Sequence, residues 1–239
     1  MTERNDEKSY RNMARVAGVL YLLIFITAGF SEGYVRSGMI VPGDAAATAG
    51  NIMAAPGLFR LGFVSDLVAF MSDAVVSVLL YVLLRPVSRT VSLLAAAFRL
   101  LAHPAIAAIN LLNHYAALLL LQGDAYLSVF TTDQLHALAS LFLNMHGYGY
   151  LIAGAFFGVH CLILGYLLFK SDYFPGILGI MMAIAALGYL TESFGNFLFP
   201  GHGDVLAWFV AVPAVLGEFS LTLWLLIKGI RVRPEMNPV

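Results

Sequence analysis

The stretch LHALASLFLNMHGYGYLIAGAFFGVHCLILGYLLF, residues 135–169, contains no Asp, Glu, Lys or Arg. A helix crosses the hydrocarbon core of a bilayer with about 20 apolar residues. This stretch is longer than one span requires, so we expect it to tilt or to protrude from the bilayer. The whole chain has the same character, because its 239 residues are 60% hydrophobic and only 11% charged, whereas soluble domains are about 25% charged. The sequence therefore predicts an integral membrane protein.

The same length criterion predicts six spans in total. Their approximate bounds are 14–36, 57–84, 91–121, 135–169, 174–198 and 205–228. We therefore expect an all-α membrane protein with one six-helix transmembrane domain over 14–228. A short N-terminal segment, 1–13, precedes this domain, and a tail, 229–239, follows it.

Glycine and alanine at helical spacing predict close contacts between spans. Gly154 and Gly158 lie one turn apart on the fourth span. A stripe of small residues on the fifth span consists of Gly176, Gly179, Ala183 and Ala186. Small residues let helix backbones approach closely in a membrane. We expect both sets to lie at helix interfaces.

The positions of the basic residues predict the orientation. Ten of the 13 Lys and Arg residues fall on one side of the membrane: Arg4, Lys8, Arg11, Arg15, Arg85, Arg89, Lys170, Lys228, Arg231 and Arg233. The loops at 122–134 and 199–204 contain none. Cytoplasmic loops carry the excess of positive charge, so both termini are predicted to be cytoplasmic. The first span also has small residues typical of signal-peptide cleavage, but the acidic residues in its leader favour an uncleaved helix.

Three stretches resemble a known family of membrane proteins. They are GYLIAGAFFGVHCLILGYLLFKSDYFPGILGIMMAIAALGYLTESF at 149–194, ARVAGVLYLLIFI at 14–26 and FRLGFVSDL at 59–67. The pattern is similar to the bacterial family known as domain of unknown function 4386. The resemblance implies a six-helix protein of the bacterial inner membrane, and it implies no particular activity.

Charged residues inside the predicted spans need partners, since one at the bilayer centre costs about 2.5–3.5 kcal/mol on insertion scales. In an antiparallel helix pair, two residues at equal depth have numbers that add to a constant, which is about 175 for the second and third spans. Asp73 with His103, and Asp66 with Asn110, both add to nearly that value. Arg99 lies one turn from His103. The sequence therefore predicts that Asp73 faces His103 and Arg99, and that Asp66 faces Asn110.

The same equal-depth argument, applied to the third and fourth spans, predicts that histidines of the two helices face each other. His103 with His160, and His114 with His146, are at similar depth and on compatible faces. Two facing histidine pairs could hold b-type haem by bis-imidazole ligation, so a membrane cytochrome is one alternative. An intramembrane metal hydrolase is another, although the chain has no HExxH or HxxxH pair.

Two glutamates complete the set of candidate residues. Glu192 lies one turn before Asn196 and is predicted to line a cavity open to the outer face. Glu218 lies about halfway along the sixth span, where it is expected to be protonated or paired with a cation such as Arg99.

The candidate site is a buried polar cluster, with the second, third and fourth spans at its centre. Its members are Asp66, Asp73, Arg99, His103, Asn110, His114, His146, His160, Glu192 and Glu218. The predicted function is the binding, sensing or translocation of a proton, a small solute or a lipid-derived molecule. An alternative is that the polar pairs only fix helix register. Besides the lipid bilayer, no macromolecular partner is predicted; a formal net charge of -1 and the absence of a long basic block argue against nucleic acid.

Overall fold

The computed structural model describes residues 2–230, and the side chains of residues 8–230. Residue 1 and residues 231–239, which belong to the predicted N-terminal segment and tail, lie outside the described residues. Within the described range all regular structure is helical, and the helices are named in chain order. They are α1 (Thr2–Ala28, Gly29–Arg36 and Ser37–Met39), α2 (Ala45–Ala54), α3 (Pro56–Leu84), α4 (Arg89–Leu100, Leu101–Ala107 and Ala108–Gln122), α5 (Thr132–Lys170), α6 (Gly176–Leu198) and α7 (Gly203–Ile227).

Six of these helices, α1 and α3 to α7, are long and apolar enough to cross a membrane. The predicted number of spans is therefore confirmed. The helix α5 has 39 residues, or about 58 Å at 1.5 Å per residue, whereas the hydrocarbon core is about 30 Å thick. The expected tilt or protrusion of this span follows from that difference. The orientation of the termini stays a prediction.

Local signals in the sequence explain where several helices begin. The side chain of Ser88 accepts a hydrogen bond from the backbone of Val91 and caps α4. Thr131 and Gln134 form a reciprocal capping box at the start of α5. Each cap satisfies a backbone N–H group that the first helical turn leaves without a partner.

The spanning helices form a closed ring. Each packs against two neighbours, in the order α1, α3, α4, α5, α6, α7 and back to α1. On one side of the membrane the ring is filled by a continuous apolar core that includes Leu83, Leu164, Leu168 and Leu221. The other side, which carries the short helix α2, is called the α2 side below. Polar groups occupy the interior between this core and the α2 side.

Two segments within the ring are π-helical rather than α-helical. They are Gly29–Arg36 in α1 and Leu101–Ala107 in α4. The second contains Pro104, which has no N–H to donate and clashes with the carbonyl one α-turn before it, so a wider turn is favoured. A π-turn takes in one more residue than an α-turn and is frequent at functional sites. Both segments carry polar residues of the interior, and both rotate the residues that follow them.

Candidate functional site

A cavity of about 460 Å³ lies among α1, α3, α4, α5 and α6. The α1 and α7 helices meet where Gly18 packs on Leu226 and where the ring of Phe25 lies edge-on to Phe219. The described residues that line the cavity come from α1, α3, α4, α5 and α6, and none of them belongs to α7. The polar residues of its wall are Glu32, Arg36, Asp66, Asp73, His103, His146, Tyr150, Tyr189 and Glu192.

Five of the ten predicted cluster residues therefore line this cavity: Asp66, Asp73, His103, His146 and Glu192. The other five are buried behind its wall: Arg99, Asn110, His114, His160 and Glu218. The cluster contains two Arg–Asp pairs. Their aspartates, Asp66 and Asp73, lie two turns apart on α3, and Asp73 is the one deeper in the bundle, farther from the α2 side.

The deeper pair joins Arg99 to Asp73. The Arg99 guanidinium donates to Asp73 Oδ1 through Nε at 3.0 Å and through Nη2 at 2.5 Å. His103 Nδ1 lies 3.2 Å from Asp73 Oδ2, so both carboxylate oxygens are occupied. Arg99 also donates to the hydroxyl of Tyr21 and, over 3.1 Å, to His160 Nε2. The predicted contacts of Asp73 with Arg99 and His103 are observed, and Arg99 and Asp73 are each 1% exposed.

His160 does not have the geometry of a haem ligand. Its Nδ1 donates to the Ala95 carbonyl oxygen at 2.8 Å and its Nε2 accepts from Arg99, so both ring nitrogens are used within the protein. The rings of His103 and His160 each lie against Phe157, at centroid distances of 4.6 and 5.4 Å. The expectation that His103 and His160 face a common iron is not supported, because an axial ligand needs one unoccupied nitrogen.

The second pair joins Arg36 to Asp66 nearer the α2 side. Arg36 Nη1 donates to Asp66 Oδ2 at 2.6 Å, and Ser31 Oγ donates to the same oxygen at 2.8 Å. Arg36 Nε donates to Glu32 at 2.6 Å. Asp66 Oδ1 has no hydrogen-bond partner among the described residues. One oxygen of a buried carboxylate is therefore left to the cavity.

The predicted contact between Asp66 and Asn110 is wrong. Asn110 lies seven residues after His103, which would place both on one face of an uninterrupted α-helix. The π-helical segment Leu101–Ala107 intervenes and turns Asn110 toward α5. Its side chain donates to the His146 carbonyl oxygen at 2.7 Å.

His146 is held in one orientation by this contact. Its Nδ1 donates to the Asn110 carbonyl oxygen at 3.2 Å, and its Nε2 has no partner among the described residues. The ring of His114 lies 5.4 Å from that of His146, edge to face, and stacks on Phe59 at 3.9 Å. The two histidines are neighbours as expected. Their perpendicular contact does not fit bis-imidazole haem, in which both rings direct a nitrogen at one iron from opposite sides.

The metal-hydrolase alternative also gains no support from the geometry. Among the side chains of residues 8–230, no three His, Cys, Asp or Glu residues converge as a metal site would require. A catalytic zinc site needs three protein ligands and an open position.

Glu218 was expected to be protonated or paired with a cation such as Arg99, and the pairing with Arg99 is not observed. It accepts a hydrogen bond from the hydroxyl of Tyr189 at 2.6 Å, not from Arg99. The guanidinium of Arg99 is already occupied by Asp73, and a neutral phenol on the adjacent helix α6 lies within reach. Glu192 lines the cavity half-buried, and Asn196 donates to its backbone carbonyl rather than to its carboxylate.

The sequence analysis missed Arg36, Ser31, Tyr150 and Tyr189. The connection between α1 and α3 is long, so the sequence does not show which residues of these two helices lie at equal depth. Arg36 could therefore not be predicted to contact Asp66. Glu32 and Arg36 are four residues apart, which is the spacing of a helical ion pair. That spacing was the available signal that Arg36 lies within the helix.

Gly149 allows Asn110 to reach α5, which makes a first prediction. A Cβ atom at Gly149 would overlap the Asn110 side-chain amide, whereas one at Gly147 would meet nothing within 4 Å. We expect Gly149→Ala to lower the free energy of unfolding by about 1–2 kcal/mol, because displacing the amide breaks its hydrogen bonds. Gly147→Ala is the matched control and should unfold like the unaltered protein in denaturant titrations in detergent. Equal stability of the two variants would contradict the contact.

Comparison with known proteins gives the family of the chain and no activity. A protein of Archaeoglobus fulgidus, named only as an uncharacterized protein, is 31% identical over 159 residues, which cover 66% of this chain and 76% of the relative. No solved structure matches the chain. The model of the family described as "Domain of unknown function (DUF4386)" matches residues 16–229. That match covers all six spanning helices, and the chain therefore belongs to the DUF4386 family.

Proposed function

We propose that this membrane protein binds a small solute, or the polar end of a lipid-derived molecule, in the cavity among α1, α3, α4, α5 and α6. The observation that carries the proposal is the cavity itself. Its volume of about 460 Å³ lies within the range of about 300–1,000 Å³ typical of ligand pockets, and it combines an apolar wall with a few polar groups. Sensing or translocation of the bound molecule would use the same site.

A purely structural role accounts for only part of the cluster. The Arg99–Asp73 pair is buried and has both carboxylate oxygens occupied, as expected of a pair that fixes helix register. Asp66 keeps one buried oxygen without a hydrogen-bond partner among the described residues, and the partly exposed Glu192 lines the same cavity. Unpaired acceptors inside a bilayer are costly, so their place in a cavity wall supports binding rather than scaffolding.

The location and orientation form part of the proposal. The excess of basic residues at the termini supports a protein with both ends in the cytoplasm, which would place the α2 side and the cavity toward the outside. The family resemblance supports the inner membrane of a bacterium. Similar chains also occur in an archaeon, where the corresponding location would be the cell membrane.

Cysteine accessibility tests whether the cavity admits solutes. Gly147 lines the cavity with open space at its Cβ position, and the native Cys161 is fully buried. We expect Gly147→Cys in lipid nanodiscs to react with a charged, membrane-impermeant methanethiosulfonate reagent. Met145→Cys is the matched control, because Met145 is exposed on the bundle surface, two residues away and outside the cavity wall. It faces lipid in this proposal and should not react.

The reaction rates of the two cysteine variants show whether a water-soluble reagent can enter the cavity. A Gly147→Cys protein that is folded but as unreactive as Met145→Cys would refute the proposed function. Reaction at both positions would show that the helices are not embedded as proposed, which would refute it as well.

A further inference from the structure

We infer that the cavity is built for an organic cation, specifically an ammonium group with N–H donors on an apolar body. The inference rests on the proposed function and assigns the chemical class of the ligand. Four features of the cavity carry it: buried acceptors without donors, an excess of carboxylates, arginines that are already occupied, and an aromatic wall.

Two buried acceptor atoms on facing helices have no donor. Asp66 of α3 is 1% exposed and its Oδ1 has no partner among the described residues. His146 of α5 is 3% exposed. Because its Nδ1 faces a carbonyl oxygen, that nitrogen carries the proton, and in the neutral ring Nε2 presents a lone pair. Both residues line the cavity, so a ligand with N–H groups would satisfy acceptors that the protein leaves unsatisfied.

The charges around the cavity favour a cation. Four carboxylates line it: Glu32, Asp66, Asp73 and Glu192. Two guanidinium groups, those of Arg36 and Arg99, pair with them. The remaining titratable side chains of the wall are His103, His146, Tyr150 and Tyr189. In the ionised state the carboxylates outnumber the guanidinium groups by two. Such an excess attracts positive charge, most strongly near the buried Asp66 and Asp73 and less near the Glu32 side chain, which is 70% exposed.

The arginines are poorly placed to attract an anion. Arg36 already donates to Glu32, to Ser31 and to Asp66. Arg99 is 1% exposed and donates to Asp73, Tyr21 and His160. A phosphate or carboxylate ligand could not bind Arg99 without breaking these bonds, and at Arg36 it would meet the carboxylates of Glu32 and Asp66, each 2.6 Å from the guanidinium, which repel an anion.

The aromatic residues of the wall favour an organic cation over a metal ion. Phe70, Tyr150 and Tyr189 line the cavity, and the face of an aromatic ring attracts a cation at distances within about 6 Å. Tyr150 already lies beneath the Arg36 guanidinium, with 5.5 Å between the guanidinium carbon and the ring centre. The carboxylates do not converge on one point as metal ligands do.

A matched series of benzyl compounds tests this inference with the full-length protein in nanodiscs. Calorimetric titration would compare benzylammonium with benzyl alcohol, benzoate and benzyltrimethylammonium. We expect benzylammonium to bind saturably and at least about tenfold more tightly than benzyl alcohol, since it adds charge-assisted hydrogen bonds. Benzyltrimethylammonium, which keeps the charge and lacks N–H donors, should fall between the two. Benzoate should not bind.

Three variants test whether the binding is in the cavity. Glu192→Gln, at the partly exposed rim, should weaken benzylammonium binding about tenfold without loss of folding. Asp124→Asn, in the exposed connection between α4 and α5, removes a carboxylate outside the cavity and should leave the affinity unchanged. Asp66→Asn should abolish binding, and its folding is checked by size-exclusion chromatography; if it fails to fold, Glu192→Gln decides.

Failure of the inference differs from failure of the proposed function. If Gly147→Cys is accessible but benzoate or benzyl alcohol binds as tightly as benzylammonium, the assignment of an ammonium ligand is overturned and the cavity remains a binding site. If benzylammonium binds equally well to Glu192→Gln and Asp124→Asn, the cation binds elsewhere and the assignment is also overturned.

Discussion

Replacing Arg99 by methionine is expected to lower the free energy of unfolding by about 3–5 kcal/mol, the range found when one partner of a buried ion pair is removed. Asp73 would keep only its contact with His103 and would become an uncompensated buried carboxylate. Tyr21 and His160 would each lose a donor as well. Unfolding in detergent, followed by circular dichroism against increasing sodium dodecyl sulfate, measures the effect.

Two further variants distinguish the effect of breaking the ion pair on stability from the effect of losing side-chain volume. The double variant Asp73→Leu with Arg99→Met removes both charges and should recover much of the lost stability, because apolar side chains of similar size can replace a buried pair. Arg60→Met is the matched control. Arg60 is exposed near the start of α3, so its replacement should change stability by less than about 0.5 kcal/mol. An Arg99→Met protein as stable as Arg60→Met would show that the pair does not hold the bundle together.

The contacts around Asp73 were predictable because α3 and α4 are joined by a short turn. The turn fixes which residues of α3 and α4 lie at equal depth in the membrane. Residues of α4 that precede the π-helical segment also lie on the helix face that α-helical geometry predicts. Arg99, in the regular first part of α4, and His103, near the start of the π-helical segment, therefore meet Asp73 as expected. The six spans were predictable for an equally simple reason, since a bilayer imposes length and apolar composition on every crossing helix.

The prediction failed for Asn110, which follows the π-helical segment, and for Arg36, which lies across the long connection. Asn110 was placed opposite Asp66 by assuming α-helical rotation through residues 101–107, and the wider turn around Pro104 changes that rotation. Arg36 was not matched with Asp66, because 16 residues separate the end of α1 from the start of α3 and define no common depth. Of the two expectations for Glu218, protonation or pairing with a cation such as Arg99, the pairing is not observed, because its hydrogen-bond partner is the neutral hydroxyl of Tyr189. Charged residues can be recognised directly in a sequence, whereas the sequence does not show which neutral hydrogen-bond donor lies on the adjacent helix.

The two Arg–Asp pairs both contribute their aspartate to the cavity wall, but they differ in how completely the carboxylate is hydrogen-bonded. Around Asp73 every carboxylate oxygen is occupied, and a continuous apolar core lies beyond it. Around Asp66 one oxygen is unoccupied, and the cavity lies next to it. This difference is why we assign stability to the deeper pair and ligand binding to the pair near α2. We therefore expect variants of the deeper pair mainly to lower the free energy of unfolding, and Glu192→Gln mainly to weaken ligand binding.

Replacing Gly165 by alanine is expected to lower the free energy of unfolding by about 3 kcal/mol, the upper end of the range for overpacked cores. A Cβ atom at Gly165 of α5 would lie 2.7 Å from the carbonyl oxygen of Gly179 and 3.0 Å from the backbone nitrogen of Ala183, both on α6. Backbone atoms cannot move aside as a flexible side chain does, so the two helices must separate. The predicted interface role of the Gly179 and Ala183 stripe is therefore observed.

Gly176→Ala is the matched control for this contact. Gly176 belongs to the same predicted stripe, but a Cβ atom there would meet only the Phe169 ring at 3.4 Å, an ordinary contact. We expect its stability to stay within about 0.5 kcal/mol of the unaltered protein in the same detergent titration. Because α6 also carries Tyr189 and Glu192 in the cavity wall, Gly165→Ala should in addition weaken benzylammonium binding, whereas Gly176→Ala should not. Equal unfolding of the two alanine variants would mean that α5 and α6 do not meet backbone to backbone at Gly165.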